Sequence, residues 1–167
     1  ANLPVLPNEP TADLPAPTQT PPKATEPLKE TETRELRLLE KATALLSRGA
    51  IKEAVNTLTL IDGEFLHDEA ARPVWAWTLF ESNQLEQLLG ELPKHSASPE
   101  LQFLRAVALY QTGEISTGTK ALQALWRRYP TAIWGQWSLW TLAKNKAESP
   151  YSKSERKFIL NTVPPPR

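Results

Sequence analysis

Apolar residues recur at helical spacing along most of the chain, beginning at Glu35. Leu36, Leu38, Leu39, Ala42, Leu45 and Leu46 fall three and four residues apart, and after Gly49 so do Ile51, Ala54, Val55, Leu58 and Ile61. This pattern predicts two short amphipathic helices over Glu35–Asp62. Gly49 ends the first, because a left-handed residue closes a helix at least steric cost when it has no Cβ. Two helices of this length cannot bury both stripes against each other, so further helices must pack on them. The later signals supply those helices. Asp68 and Glu69 suit the start of one. Ser98-Pro99-Glu100 opens another with a cap, a first-position proline and an acid. Arg127 and Arg128 end the next near its negative pole, Thr131–Ala143 forms one more, and Ser152-Lys153-Ser154-Glu155 has capping-box spacing ahead of a short helix bearing Phe158, Ile159 and Leu160.

The helices repeat. With Gly49, Asn83 and Gly113 aligned as helix-ending residues, 34 and 30 residues apart, a small residue stands seven positions before each: Ala42, Ala76 and Ala106. Two positions after come Ile51, Leu85 and Ile115, five after come Ala54, Leu88 and Gly118, and nine after come Leu58, Leu92 and Leu122. Asn at the middle position fits, since it tolerates the left-handed region better than most residues. A period of this length is that of a helix–turn–helix array.

The pattern resembles the tetratricopeptide repeat. That family places a small residue on the first helix of each unit, glycine in the turn, a small residue early on the second helix and a closing proline. Glu35–Asp62 carries Ala42, Gly49, Ala54 and Leu58, and Pro99–Pro130 carries Ala106, Gly113, Gly118, Leu122, Leu125 and Pro130. A degenerate unit lies between, about Glu69–Pro93, with Pro73 in its first turn. A fourth first helix follows, with Trp134 where the family often has tryptophan. The resemblance covers about two thirds of the chain. It implies an all-α fold, an α-solenoid of about three and a half helix-turn-helix repeats over residues 31–161, closed by a C-terminal capping helix and followed by an extended proline-rich tail at 162–167. It implies no chemistry, because the family's signature residues pack helices.

Residues 1–30 are different material. Half of the sixteen prolines lie between Pro4 and Pro27, among Thr, Ala, Glu and Lys. Such a segment favours extended conformations and builds no core, so it is expected to be a disordered linker reaching on the order of 90 Å at ~3.1 Å per residue. A sharper reading makes Pro7-Asn8-Glu9-Pro10 a ligand for an aromatic groove. The chain holds no cysteine and no methionine. The first removes thiol chemistry and disulfides. The second, with Ala1 at the start, suggests a tether from a removed N-terminal signal or membrane anchor. The corresponding expectation is a periplasmic domain held to the inner membrane, or otherwise a cytoplasmic one. No apolar run approaches the roughly 18 residues of a membrane span.

The search for chemistry returns no catalytic constellation. His67 and His95 are the only histidines. His67 neighbours Asp68 and Glu69, but without a second ligand pair at helical spacing it reads as a solvated loop. No nucleophile elbow or phosphate-binding loop occurs, and acidic pairs such as Glu32 and Glu35 read as solvating charges on helix surfaces. No enzyme activity, cofactor or metal is expected.

Surface is what remains. In the family's register the first helix of each pair lines a concave face. The lining positions are Leu39, Thr43 and Leu46, then Trp77, Phe80 and Glu81, then Phe103, Val107 and Tyr110. Four aromatics among these suggest a slot for a peptide or amphipathic helix of a protein partner. Against that stands packing on the next helix, or filling of the slot by the C-terminal helix. The basic clamp with which some family members grip chaperone C-termini is not visible at these positions.

Formal charge is zero overall, yet residues 120–167 hold nine bases and two acids, against ten bases and seventeen acids in residues 1–119. The basic end comprises Arg127, Arg128, Lys144, Lys146, Lys153, Arg156 and Lys157. A solvated cap, head-to-tail homo-oligomers joining acidic end to basic end, and contact with nucleic acid or anionic membrane all fit this asymmetry. Trp134, Trp137 and Trp140 form one stripe nearby, read as core. The expected function is a non-catalytic protein–protein scaffold, an assembly factor of a multi-protein complex of the kind that builds pili or secretion machines in bacterial envelopes. The alternative is binding of nucleic acid or membrane surface through the basic end.

Overall fold

A computed structural model describes residues 30–166. The expected linker over residues 1–30 falls outside it except for Glu30, which opens the first helix, and the Pro7–Pro10 motif lies outside it altogether. The described residues form nine helices and no strand: α1 Glu30–Ser47, α2 Ile51–Leu58, α3 Gly63–Leu66, α4 Arg72–Glu81, α5 Leu85–Glu91, α6 Pro99–Gln111, α7 Ile115–Arg128, α8 Ile133–Lys144 and α9 Lys153–Thr162. The fold is all-α. No helix among the described residues is long and apolar enough to cross a membrane.

The three aligned turns share one geometry. Gly49, Asn83 and Gly113 have φ of 75°, 59° and 98°. After each, the next N–H turns back to the carbonyl five residues earlier: Ala50 to Leu45, Gln84 to Leu79 and Glu114 to Leu109. This is the bond that lets a left-handed residue satisfy the orphan carbonyls of a helix end. The small residues seven positions earlier, Ala42, Ala76 and Ala106, are fully buried, as are the later repeat positions Ala54, Leu58, Leu88, Leu92, Gly118 and Leu122. At Gly118 a Cβ would lie 2.7 Å from the backbone nitrogen of Tyr110 and 2.8 Å from its Cα, so α7 meets α6 at a distance only glycine permits.

Packing follows chain order, α1 on α2, α6 on α7, α7 on α8 and α8 on α9, and it also links α1, α4, α6 and α8 in series. The core is correspondingly spread out. One cluster joins α1, α2, α4, α5 and α6 around Leu58, Leu79 and Leu88, a second joins α6, α7 and α8 around Leu122 and Leu142, and a small third joins Leu139 and Ala143 to Ile159 of α9.

Two local expectations are corrected. The helix expected to open at Asp68 starts instead at Arg72, because Pro73 lacks an N–H and is tolerated only in the first turn. Asp68 serves through its backbone carbonyl, which accepts from Ala71 and Arg72, and the unforeseen short helix α3 precedes it, capped by the Asp62 side chain. Glu35 is not a solvating charge. It is 3% exposed, and its carboxylate accepts the Asp62 N–H at 3.1 Å and the Arg34 guanidinium at 2.8 Å, tying α1 to the end of α2. Of the three apolar residues on the last helix, only Ile159 is buried, whereas Phe158 is 69% exposed. The Ser98 cap and the Ser152–Glu155 capping box form as expected.

Candidate functional site

Because α4, α6 and α8 lie side by side, residues from all three wall a single cavity of about 420 Å³. Trp77 and Phe80 come from α4; Phe103, Val107 and Gln111 from α6; Trp140, Thr141 and Lys144 from α8. Asn145 and Pro166 complete the wall. Its floor continues into a chain of aromatic contacts. The Trp77 ring meets Phe80 edge-on with centroids 5.9 Å apart, Trp134 lies 6.2 Å from Trp77 and 5.9 Å from Phe103, and Trp137 is 5.3 Å from Trp134. Aromatic pairs at these separations contribute roughly 0.5–1.5 kcal/mol each beyond simple burial. The Trp77 indole N–H is donated to the Glu100 carboxylate at 2.5 Å, which fixes the ring's orientation. At the rim, the Lys144 ammonium sits 4.6 Å from the centre of the Trp140 ring. The Asn145 side-chain oxygen accepts from the N–H groups of Ala147 and Glu148, leaving its NH₂ as a donor.

Of the nine expected groove positions, the structure brings four together at this cavity: Trp77, Phe80, Phe103 and Val107. The others are placed elsewhere. Leu39 is buried in the core beside Leu58 and Leu79, Leu46 is half-buried on α1, and Thr43 is exposed with its hydroxyl bonded to the Leu39 carbonyl. Glu81 is exposed beyond the cavity wall. Tyr110 is buried among Leu122, Leu125 and Leu142, and its hydroxyl makes no well-formed hydrogen bond among the described residues, with the Asn145 side chain as a near neighbour. Burial first, and the nearby Glu148 carboxylate second, push the Tyr110 phenol above its ordinary pKa, with Asn145 acting in the opposite direction.

The cavity also has members that the sequence did not flag. Trp140 belongs to the stripe read as core; Trp134 and Trp137 do pack there, but Trp140 lines the opening. Its position one turn beyond Trp137 was visible, but its side of α8 was not. The last helix does not fill the slot. Pro166, from the tail beyond α9, does reach it.

Two members of the basic end line different cavities: Lys144 the aromatic one, and Arg128 a separate cleft of about 840 Å³ with Lys94, Arg105 and Lys120. There the Arg105 guanidinium is engaged by the carbonyls of Leu89 and Leu92. Arg127, Lys146, Lys153 and Lys157 are exposed and Arg156 is half-buried. His67 and His95 are both exposed, and among the described residues no cluster of potential metal ligands occurs. The described side chains thus offer an aromatic recess with a polar rim, suited to holding apolar groups and a few hydrogen-bonding ones. No protein-family model, curated protein or solved structure matches the chain.

Proposed function

We propose that this chain is a non-catalytic protein–protein interaction scaffold, a tetratricopeptide-like array whose first helices present a groove to a peptide or helix of a partner, acting as an assembly factor within a multi-protein complex. One observation carries the reading: α4, α6 and α8, alternate helices of the series, converge aromatic side chains on one surface recess. Indole and phenyl rings held in fixed orientation supply binding energy at low entropic cost, and large aromatics dominate the energetics of protein interfaces. The shared positive φ and backbone bond pattern at Gly49, Asn83 and Gly113 support the repeat reading.

The test is retention of a partner from the native source on the immobilised chain, compared with Trp140→Ala and Trp77→Ala variants. A partner held by the natural chain and lost by both variants, with far-ultraviolet circular dichroism unchanged, is the expected result. Equal retention by all three would remove the groove from the reading. The second reading, an anionic macromolecule on the basic side, is favoured by the cleft whose lining includes Lys94, Arg105, Lys120 and Arg128 and a single carboxylate, Glu114. Salt-sensitive retention on a heparin or DNA column, abolished by Lys120→Glu with Arg128→Glu, would support it.

A further inference from the structure

We propose that the aromatic groove selects proline-rich extended segments, and that the chain's own C-terminal tail, which borders the groove through Pro166, is its resident ligand until a partner's segment of the same kind displaces it. The inference rests on the reading of the groove as a peptide site and narrows the peptide to one conformation.

The geometry begins at the end of α9. Thr162 is the last helical residue, and Val163 turns extended with φ −97° and ψ 129°. Each of Val163, Pro164 and Pro165 precedes a proline, which excludes it from the helical region, and each proline has its φ fixed by the ring. The run is therefore held to a polyproline-II path by local sterics alone, rising ~3.1 Å per residue, about 9 Å for three residues. Val163 packs with Leu139 and Ala143 of α8 and Ile159 of α9, Pro164 and Pro165 are exposed, and Pro166 then lines the cavity together with Trp77, Phe80 and Trp140.

The match is chemical as well as spatial. A proline segment has no N–H groups to satisfy, so it can lie against an apolar wall without leaving a buried donor unpaired. Its carbonyls need donors instead, and the rim offers the exposed Gln111 amide. Little ordering entropy is lost, because the segment is extended before it binds. An amphipathic helix fits less well: with side chains it is ~10–12 Å across, and the space left open beside Pro166, about 420 Å³, takes a few side chains rather than a rod.

The experiment compares the full chain with a variant ending at Thr162, and with a full-length variant carrying Pro164→Ala, Pro165→Ala and Pro166→Ala, which leaves every helix intact. The probes are a synthetic peptide of residues 163–167, the same peptide with its prolines replaced by alanine, and an amphipathic helical peptide without proline. Binding is followed by tryptophan fluorescence and calorimetry. Expected results are a fluorescence change on removing the tail, binding of the proline peptide at least about tenfold tighter to both tail variants than to the full chain, loss of that binding on adding Trp140→Ala, and no binding of the alanine peptide. Equal affinity of the full and shortened chains for the proline peptide overturns the occupancy of the groove by the tail. If the shortened chain binds the helical peptide through Trp77 and Trp140 but not the proline peptide, the preference for proline is overturned while the groove stands as a partner site. If neither peptide binds, the preference is overturned, and partner retention by the Trp77→Ala and Trp140→Ala variants decides the groove separately.

Discussion

Thr43 on α1 and Trp77 on α4 each stand six residues before the left-handed residue that follows their helix, yet their surroundings share almost nothing. Thr43 lies in solvent, its hydroxyl turned back 2.8 Å to the Leu39 carbonyl, while Trp77 is half-buried between Phe80 and Trp134. Val107, at the same register on α6, is buried and lines the same recess as Trp77. The first pair is held by aliphatic packing and one buried carboxylate; the middle of the molecule is held by tilted and edge-on ring contacts. Register alone sets which side of a helix a residue occupies. A recess also needs a packed neighbour on both flanks and bulk at the lining positions. Among the described residues α4 and α6 have both flanks covered within the series, whereas α1 ends it.

The strongest way to break this comparison is at the helix approach that differs most between the regions. Ala54 is accommodated on α2, but the equivalent Gly118 on α7 faces the Tyr110 backbone with no room for a Cβ. Gly118→Ala should cost about 2–3 kcal/mol through overpacking, despite the ~1 kcal/mol by which alanine favours a helix interior over glycine. Urea unfolding measures it as a fall in midpoint at constant slope. A stabilised variant would mean that α6 and α7 do not approach as closely as the middle region requires.

Next in size is the polar tie of the first pair. Glu35→Ala leaves the Asp62 N–H without its acceptor and should cost about 1–3 kcal/mol, whereas Glu32→Ala, at an exposed position, should change stability by less than about 0.5 kcal/mol. The difference between the two midpoints is the measurement. If they are equal, Glu35 is no more than a solvated side chain.

These residues also mark how far the sequence could be read. Positions governed by backbone sterics were legible: Gly49, Asn83 and Gly113 adopt positive φ, and the small residues spaced from them are buried, because a single residue's covalent structure decides each case. The capping box of α9 was legible for the same reason. Glu35 was not, since its acceptor role depends on where Asp62, 27 residues later, comes to lie. The recess was half legible. Trp77, Phe80, Phe103 and Val107 follow from register, but Trp140 sits on a stripe whose neighbours Trp134 and Trp137 are core, and only packing of α8 on α6 separates them. Pro166 gave no signal, because a tail's destination is not a periodic property.

A smaller effect is expected at Tyr110, on the aromatic side. Its buried hydroxyl makes no well-formed hydrogen bond, so Tyr110→Phe keeps the ring and removes a poorly satisfied polar group beside Asn145, which should change stability by about 1 kcal/mol or less near neutral pH. The pH dependence has a definite sign. The folded phenol titrates above the ordinary value of 10.0, so its contribution is intact below that value and is lost as pH rises from it through the raised folded one. Urea midpoints at about pH 8 and about pH 11 should therefore diverge more in the natural chain than in Tyr110→Phe. Tyr151, likewise raised chiefly by burial, retains part of the slope in both. A slope unchanged by the substitution would show that the Tyr110 phenol titrates alike in the folded and unfolded chain.

The smallest effect sets the two ends of the helical series against each other. Glu35 and Glu155 both accept a backbone N–H, from Asp62 at 3.1 Å and from Ser152 at 2.7 Å, but the first is buried and the second exposed. The Ser152 backbone and side-chain hydrogen bonds hold the Glu155 carboxyl below its ordinary pKa of 4.5. A lowered folded pKa places the contribution above the ordinary value, and it disappears as pH falls through the folded one. Acidification should therefore loosen the first turn of α9 and shift the Ser152 amide proton resonance, with a midpoint below 4.5. Glu155→Gln keeps an acceptor without the charge, so the same resonance should stay flat over that range. A shift that persists in Glu155→Gln would assign the titration to another group, because the only side chain accepting the Ser152 amide among the described residues would then no longer ionise.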